Sequence, residues 1–300
     1  MFKKIIFTLC LVLSNTVMAK SLALSFDDGL DPKTNPQAEQ INDDILKTLK
    51  QNKITAIVYP SISKIGGEPG RDIIAKWGQE GQHIGNHSNL HMNFNKPDVT
   101  LANYLKDVQE GHDFFKNLKG FVPRYRFPFL KEGNTEEKRD GMRKWLKVHN
   151  YRSGAVSIDA SDWYYNQLYL KYQENHDTQS LDKLKKAYIT HLLGRADYYD
   201  NLALKTIERS PNHVILLHVR AINAAWLPDI IQAFKQQKWQ FIDSEKAYTD
   251  PIYQLHLQVL PAGESILWSI AKVYGVQGLR YPAEDAPYEA DNLKKFGLTP

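Results

Sequence analysis

Two carboxylates stand side by side at the end of an apolar run, Ser25-Phe26-Asp27-Asp28-Gly29, and two imidazoles follow about sixty residues later in His87-Ser88-Asn89-Leu90-His91. One carboxylate and two imidazoles can hold a divalent metal on one face and leave positions open for water and substrate. The second carboxylate then remains as a base. That is the group inventory of a metal-dependent hydrolase. Adjacent carboxylates repel, and a bound cation relieves the repulsion. On an alternating strand their side chains point differently, so one can bind metal while the other faces substrate. Taken alone, Asp-Gly is also a common turn signal. The i, i+4 spacing of His87 and His91 is weak by itself in a chain with 10 His. His83 lies four residues before His87, but Gly85 and Asn86 argue against one continuous helix, which makes His83 a strand residue rather than a ligand.

Three further groups have acid–base or orienting potential. Arg126-Phe127-Pro128-Phe129 can bring a guanidinium to a carboxylate and a backbone N–H to an oxyanion, or can be an edge strand stopped by proline. Arg124 has the same strand parity, and the sequence leaves both arginines open for that role. Asp159-Ala160-Ser161-Asp162-Trp163 reads on its own as an N-cap at the start of a helix. His218 ends the apolar run from Val214 to Leu217, where a lone histidine is often structural.

These residues need a scaffold that gathers them. Short apolar runs predict strands at 22–26, 54–59, 83–86, 124–127, 152–158, 214–218 and 240–243. Amphipathic stretches predict helices at 42–51, 70–80, 99–118, 135–149 and 223–236. Residues 164–209 read as an inserted helical segment. Alternating strands and helices imply parallel pairing and an α/β fold. Seven strands are enough for a barrel, and chemistry in barrels sits at the C-terminal strand ends. Asp27, Asp28, His87, Arg126, Asp162 and His218 all fall at or just beyond such an end. Beyond residue 248 the alternation fades: 265–274 can be a helix, and the Pro- and acid-rich tail from 282 reads as surface loop.

Composition narrows the class. A formal charge of +4 with no dense basic run after the N-terminus argues against nucleic-acid binding. Residues 1–19 read as a signal peptide: Lys3 and Lys4, an apolar core at 5–13, and Val17-Met18-Ala19 before a cut after Ala19. That core is too short for a bilayer, which needs about 20 residues. Cys10, the chain's one cysteine, lies inside it, so the exported part has no disulfide. Loss of two lysines leaves 36 basic against 34 acidic side chains, a charge of +2. No later stretch is long and apolar enough to span a membrane, and no protein partner is evident. The expectation is an exported protein, periplasmic or secreted, with a catalytic domain at 20–250 and a C-terminal extension at 251–300 packed on it.

In order, these motifs resemble the polysaccharide deacetylases, the NodB-homology group of carbohydrate esterases. Five motifs match: S-F-D-D-G-L from Ser25, His87 to His91, Arg126 to Phe129, Asp159 to Trp163, and Leu216 to His218. The resemblance covers about 22–243 and implies a distorted (β/α)7 barrel, here with a helical insertion before the sixth strand. It further implies that Asp28, His87 and His91 hold a divalent metal, usually zinc, and that Asp27 is the base that activates water there. Arg126 would hold Asp27. The Phe129 N–H would serve the oxyanion. His218 would be the acid, tethered by Asp162, and Trp163 and Leu216 would line an acetyl-methyl pocket. Leu30, Phe129, Val219 and Lys131-Glu132-Gly133 depart from the usual pattern and leave the substrate open more than the reaction. The expected reaction is removal of acetyl from an N-acetylated glycan: peptidoglycan, chitin-like oligomers or poly-N-acetylglucosamine. An O-acetyl glycan esterase and a catalytically silent glycan-binding module are the alternatives. The silent module would lack a base, an acid or a ligand, and none is missing. On the residues alone, an amine leaving group demands an acid opposite the base. The expected Asp27 is lowered by its cation, and the expected His218 is raised by its carboxylate.

Overall fold

The computed structural model describes residues 20–280 and 286–299. The expected signal segment, 1–19, lies outside the described residues. Among the described residues nine strands form: β1 (Ser21–Asp28), β2 (Ile57–Pro60), β3 (His83–Asn86), β4 (Phe121–Tyr125), β5 (Lys131–Gly133), β6 (Arg152–Ser153), β7 (Asn212–His218), β8 (Gln240–Phe241) and β9 (Ala262–Gly263). Seven of them make one parallel sheet in the order β6-β4-β3-β2-β1-β7, with β8 also on β1. Strand β1 is buried along nearly its whole length because it has neighbours on both edges and helices outside.

The sheet curls until its ends meet. Residues 152–153 pair with β4, and Ile158, five residues on, bridges Ile215 of β7. Leu216 N–H donates to the Ile158 carbonyl at 3.0 Å. The result is a distorted α/β barrel whose closing strand is broken in the middle, where the sequence predicts one strand over 152–158. Gly154 makes the break. A Cβ there would stand 2.8 Å from the Tyr125 carbonyl and 2.9 Å from the Tyr59 ring. The break also leaves the Gly154 carbonyl to accept from Arg126 Nε.

The outer helices follow the apolar periodicity. Helix Ala38–Asn52 buries Ile41, Ile45 and Leu49 on one face, and starts four residues before the predicted 42. Phe26 of β1 packs against Trp77 of helix Glu68–Gln79, with ring centroids 5.4 Å apart. The Trp77 indole N–H donates to Asn42 at 2.6 Å. Burying such an aromatic stabilises the fold by about 1.5–3 kcal/mol.

The predicted insertion is two helices, Asp162–Glu174 and Thr178–Ile207, which pack on each other. Two later elements also differ from the sequence expectation. Strand β8 stops at Phe241 because Asp243 turns to cap the next helix, accepting from Glu245 N–H at 2.7 Å. The tail contains helix Ala286–Lys295, not surface loop alone; it packs on Thr178–Ile207 and buries Glu289 and Leu293. Ten residues with two inward positions are too few for periodicity to stand out. Among the described residues, no helix is long and apolar enough to cross a membrane.

Candidate metal and acid–base site

Strand β1 delivers both aspartates, and both are buried. They do not point apart as strand alternation predicts. Asp28 takes a left-handed backbone conformation, φ 77°, which aspartate tolerates better than most residues. The turn swings its carboxylate back toward that of Asp27. Asp27 Oδ2 and Asp28 Oδ1 lie 3.6 and 3.9 Å from the same atom, His87 Nε2.

His87 leaves the end of β3. Gly85 allows the strand to pass close to β2: a Cβ there would meet the Tyr59 ring at 2.4 Å. Asn86 is fully buried and pins the turn, donating to the Val108 carbonyl at 3.0 Å and accepting from Ser88 N–H at 2.9 Å. The four-residue spacing of the histidines is not helical. Ser88 and His91 both have positive φ, 72° and 56°, and fold the segment into a loop. Asp107 staples that loop, accepting from Leu90 N–H at 2.6 Å. The loop brings the two imidazoles edge to face, 4.9 Å between centroids. His83 stays behind on β3 and faces Asp243 at 3.4 Å.

One ligand atom each of Asp28, His87 and His91 lies within 4.8 Å of the others. The donors fit a divalent ion on two grounds. His87 Nδ1 is 2.7 Å from the Arg126 carbonyl, so that nitrogen carries the proton and Nε2 presents a lone pair. Asp28 Oδ1 is buried, makes no hydrogen bond of good geometry and faces that lone pair. A cation resolves such an arrangement. Burial holds His87 well below the ordinary histidine range, so it is neutral and able to ligate. Burial pushes Asp28 up, but the His91 imidazole, 3.2 Å from Oδ1, and the His218 cation outweigh it and hold its carboxyl well below the usual range.

Arg126 settles the choice between two arginines. Its Nη1 donates to Asp27 Oδ1 at 2.8 Å, and Nη2 donates to Ser25 Oγ at 3.0 Å and Tyr248 OH at 3.2 Å. The guanidinium lies over the Tyr59 ring, 4.4 Å from its centroid. Arg124 instead pairs with Glu245 and lies over Tyr248. Asp27 is nevertheless pushed up to about 6, because burial outweighs the pull of Arg126 and His218. The expected lowering fails because desolvation of a fully enclosed carboxylate exceeds the attraction of one adjacent cation.

Across the sheet, His218 ends β7 in register with Asp27. Asp162, the first residue of its helix and fully buried, accepts from His218 Nδ1 and from the His218 backbone N–H, each at 2.7 Å. Burial pulls His218 down, but Asp162 outweighs it and raises the imidazole to about 9. Asp27 therefore ionises below His218. Between about 6 and 9 the first is a carboxylate and the second an imidazolium, a base beside an acid.

The remaining expected residues lie around these. Phe129 is half-exposed, with φ 56° and its ring 4.7 Å from that of His91. Leu216 is buried on the same strand face as His218, two residues deeper, and Trp163 follows Asp162.

Two contacts were not foreseen. Arg220 Nη2 donates to Asp28 Oδ2 at 2.9 Å and leaves Oδ1 for the metal position. Asn223 donates to Asp162 Oδ2 and to the His218 carbonyl, both at 2.8 Å, and accepts from Tyr188 OH at 2.6 Å. Neither carries a signal of its own, since an arginine and an asparagine at a helix start read as capping or solvated residues.

The family model for polysaccharide deacetylases matches residues 14–145, a span that includes Asp27, Asp28, His87, His91 and Arg126 but ends before Asp162 and His218. No curated protein sequence matches the chain. Among solved structures, a polysaccharide deacetylase from Bacillus cereus is 21% identical, with 80% of this chain and 96% of that one covered and a TM-score of 0.55. The peptidoglycan deacetylase PdaC from Bacillus subtilis is 20% identical over 77% of this chain and 91% of that one, TM-score 0.51. A pseudoenzyme of the CE4 family from Bacillus anthracis is 14% identical over 77% and 66%, TM-score 0.52. At these identities the likeness is one of fold, the distorted barrel described above, and activity must be argued from the residues. Over residues 14–145, which hold the first five chemical groups, the chain is thus similar to the polysaccharide deacetylases, and it shares its barrel with solved structures of that kind.

Proposed function

We propose that the protein is a metal-dependent hydrolase that removes acetyl groups from an N-acetylated glycan. The observation that carries this reading is the division of labour between neighbouring aspartates. Asp28 faces two histidines, while Asp27 is clamped by Arg126 in register with His218. A pseudoenzyme on this barrel would lack one of those groups.

Asp28, His87 and His91 would hold the ion, and the imidazole-rich set suits zinc. Such an ion, when bound, polarises an acyl carbonyl and lowers the pKa of water toward ~7. The protein's own groups do the rest. Asp27 takes the proton of the attacking water, and Arg126 keeps its carboxylate aimed. The backbone N–H of Phe129, a turn residue of positive φ whose ring packs on His91, would donate to the developing oxyanion. His218 gives its Nε2 proton to the departing nitrogen, while Asp162 on Nδ1 fixes the tautomer and supports the cation. Trp163 and Leu216 bound the space beside the acid, where an acetyl methyl would sit. The leader-like sequence at 1–19 supports an exported enzyme that meets its glycan outside the cytoplasm.

An acid held above pH 7 favours the amide over the ester, because an alkoxide departs with less help than an amide nitrogen. Acetate release from N-acetylglucosamine oligomers and from an O-acetylated xylan separates the two. We expect release from the oligomers; release from the xylan alone would assign the protein as an ester hydrolase.

A further inference from the structure

The C-terminal helix reaches the proposed acid through a buried chain of polar groups. Glu289, on helix Ala286–Lys295, belongs to none of the sequence motifs, yet it is fully buried. A carboxylate at that depth needs partners. Its Oε2 lies 3.0 Å from His191 Nδ1 and accepts from Tyr165 OH at 2.8 Å. Arg280 approaches the other oxygen at 3.5 Å. His191, on the long insertion helix, uses its second nitrogen differently: Nε2 accepts from the Ser161 backbone N–H at 3.0 Å. An Nε2 that accepts leaves the proton on Nδ1, directed at Glu289. The ring is thus neutral and in one tautomer.

Ser161 is the residue before Asp162. Its amide is one of the donors at a helix start that the helix itself cannot satisfy. Tyr165 sits one turn further along the same helix. Glu289 therefore grips this helix twice, once directly through Tyr165 and once through His191 at the residue that sets Asp162. Asn292 adds a second hold from the same C-terminal helix, donating to Tyr165 OH at 2.6 Å and the Ala187 carbonyl at 3.0 Å. Asp162 in turn fixes His218 by two hydrogen bonds of 2.7 Å.

We propose that Glu289 and His191 are positioning residues for the acid, which makes the C-terminal helix and the insertion working parts of the active site. This rests on the reading of Asp162 and His218 as tether and acid. Neither residue touches substrate. Loss of Glu289 removes the buried acceptor of the His191 Nδ1–H and of the Tyr165 O–H. The first turn of helix Asp162–Glu174 then relaxes, and His218 loses its aim.

The test uses the full-length, metal-loaded protein and acetate release from N-acetylglucosamine oligomers. Glu289→Ala should lower kcat at least tenfold, with KM and metal content within twofold of wild type. Glu289→Gln, which keeps an acceptor for one donor, should recover most of the rate. The Glu289→Ala, Asp162→Asn double variant should be no slower than Asp162→Asn alone, because both act through one group. Multiplying effects, or a folded Glu289→Ala with unchanged kcat, overturn the proposal. Should Glu289→Ala not fold, His191→Gln against His191→Leu puts the same question: the glutamine keeps an acceptor for Ser161 and should keep the rate, and the leucine should lose it. Equal rates for that pair overturn the proposal as well. An Asp162→Asn variant of unchanged kcat removes the underlying reading of the acid, whereas a damaged Asp162→Asn beside an intact Glu289→Ala removes this inference alone.

Discussion

Asp27→Asn should abolish most turnover while leaving the metal in place. Asparagine is nearly isosteric, so the β1 end and the Asp28 turn persist. Its amide oxygen can still accept from Arg126 Nη1, which donates to Asp27 at 2.8 Å. It cannot accept a proton from water. A general base contributes about 10²–10⁴ in rate, so kcat should fall about 10³-fold with metal stoichiometry unchanged. Stability should fall too, since Arg126 then sits buried without its counter-charge; breaking a buried pair outright costs about 3–5 kcal/mol, and the retained hydrogen bond offsets part of it. Metal analysis and steady-state kinetics on one preparation separate the outcomes. Unchanged turnover removes Asp27 as the base. Lost metal would mean that the ligand and base roles of the two aspartates are reversed.

His218→Gln should discriminate between substrates rather than slow all of them alike. An amine leaves only when protonated, whereas an aryl alkoxide leaves readily without help. Hydrolysis of N-acetylated oligomers should fall about 10²–10⁴-fold, and hydrolysis of an aryl acetate should fall much less. The rate profile gives a second reading. With Asp27 at about 6 and His218 at about 9, the wild-type amide activity rises as Asp27 loses its proton and declines as His218 loses its own. The variant should lose the alkaline limb and keep the acid one. An equal loss on both substrates, with the alkaline limb retained, would show that His218 only shapes the strand end.

Much of this arrangement was legible because strand ends and motifs coincide. Asp27, Asp28, His87, Arg126 and His218 all terminate or follow apolar runs, and parallel strands bring such ends to one face of the barrel. Parity stops short of choosing between Arg124 and Arg126, since Arg126, one residue past the end of β4, keeps the parity of Arg124. The choice is made by the break at Gly154, whose carbonyl holds Arg126 Nε. A strand read as continuous over 152–158 hides that break. The burial of Asp27 is equally hidden: a neighbouring arginine is visible in sequence, but the desolvation that overrides it depends on the whole barrel mouth. Arg220, Asn223, His191 and Glu289 are ordinary polar residues within helices or at their starts. Only tertiary packing makes them a sleeve around Asp28, Asp162 and Ser161. Glu289 is the extreme case, fully buried in a tail whose composition reads as surface loop.

The central claim is that one ion held by Asp28, His87 and His91 enables deacetylation. Its most direct test is acetate release from N-acetylglucosamine oligomers by protein stripped with a chelator and then titrated with zinc. The account predicts no release from stripped protein, recovery that saturates at one ion per chain, and no recovery in a folded His91→Ala variant. Release that survives complete stripping, or recovers equally in His91→Ala, would contradict it.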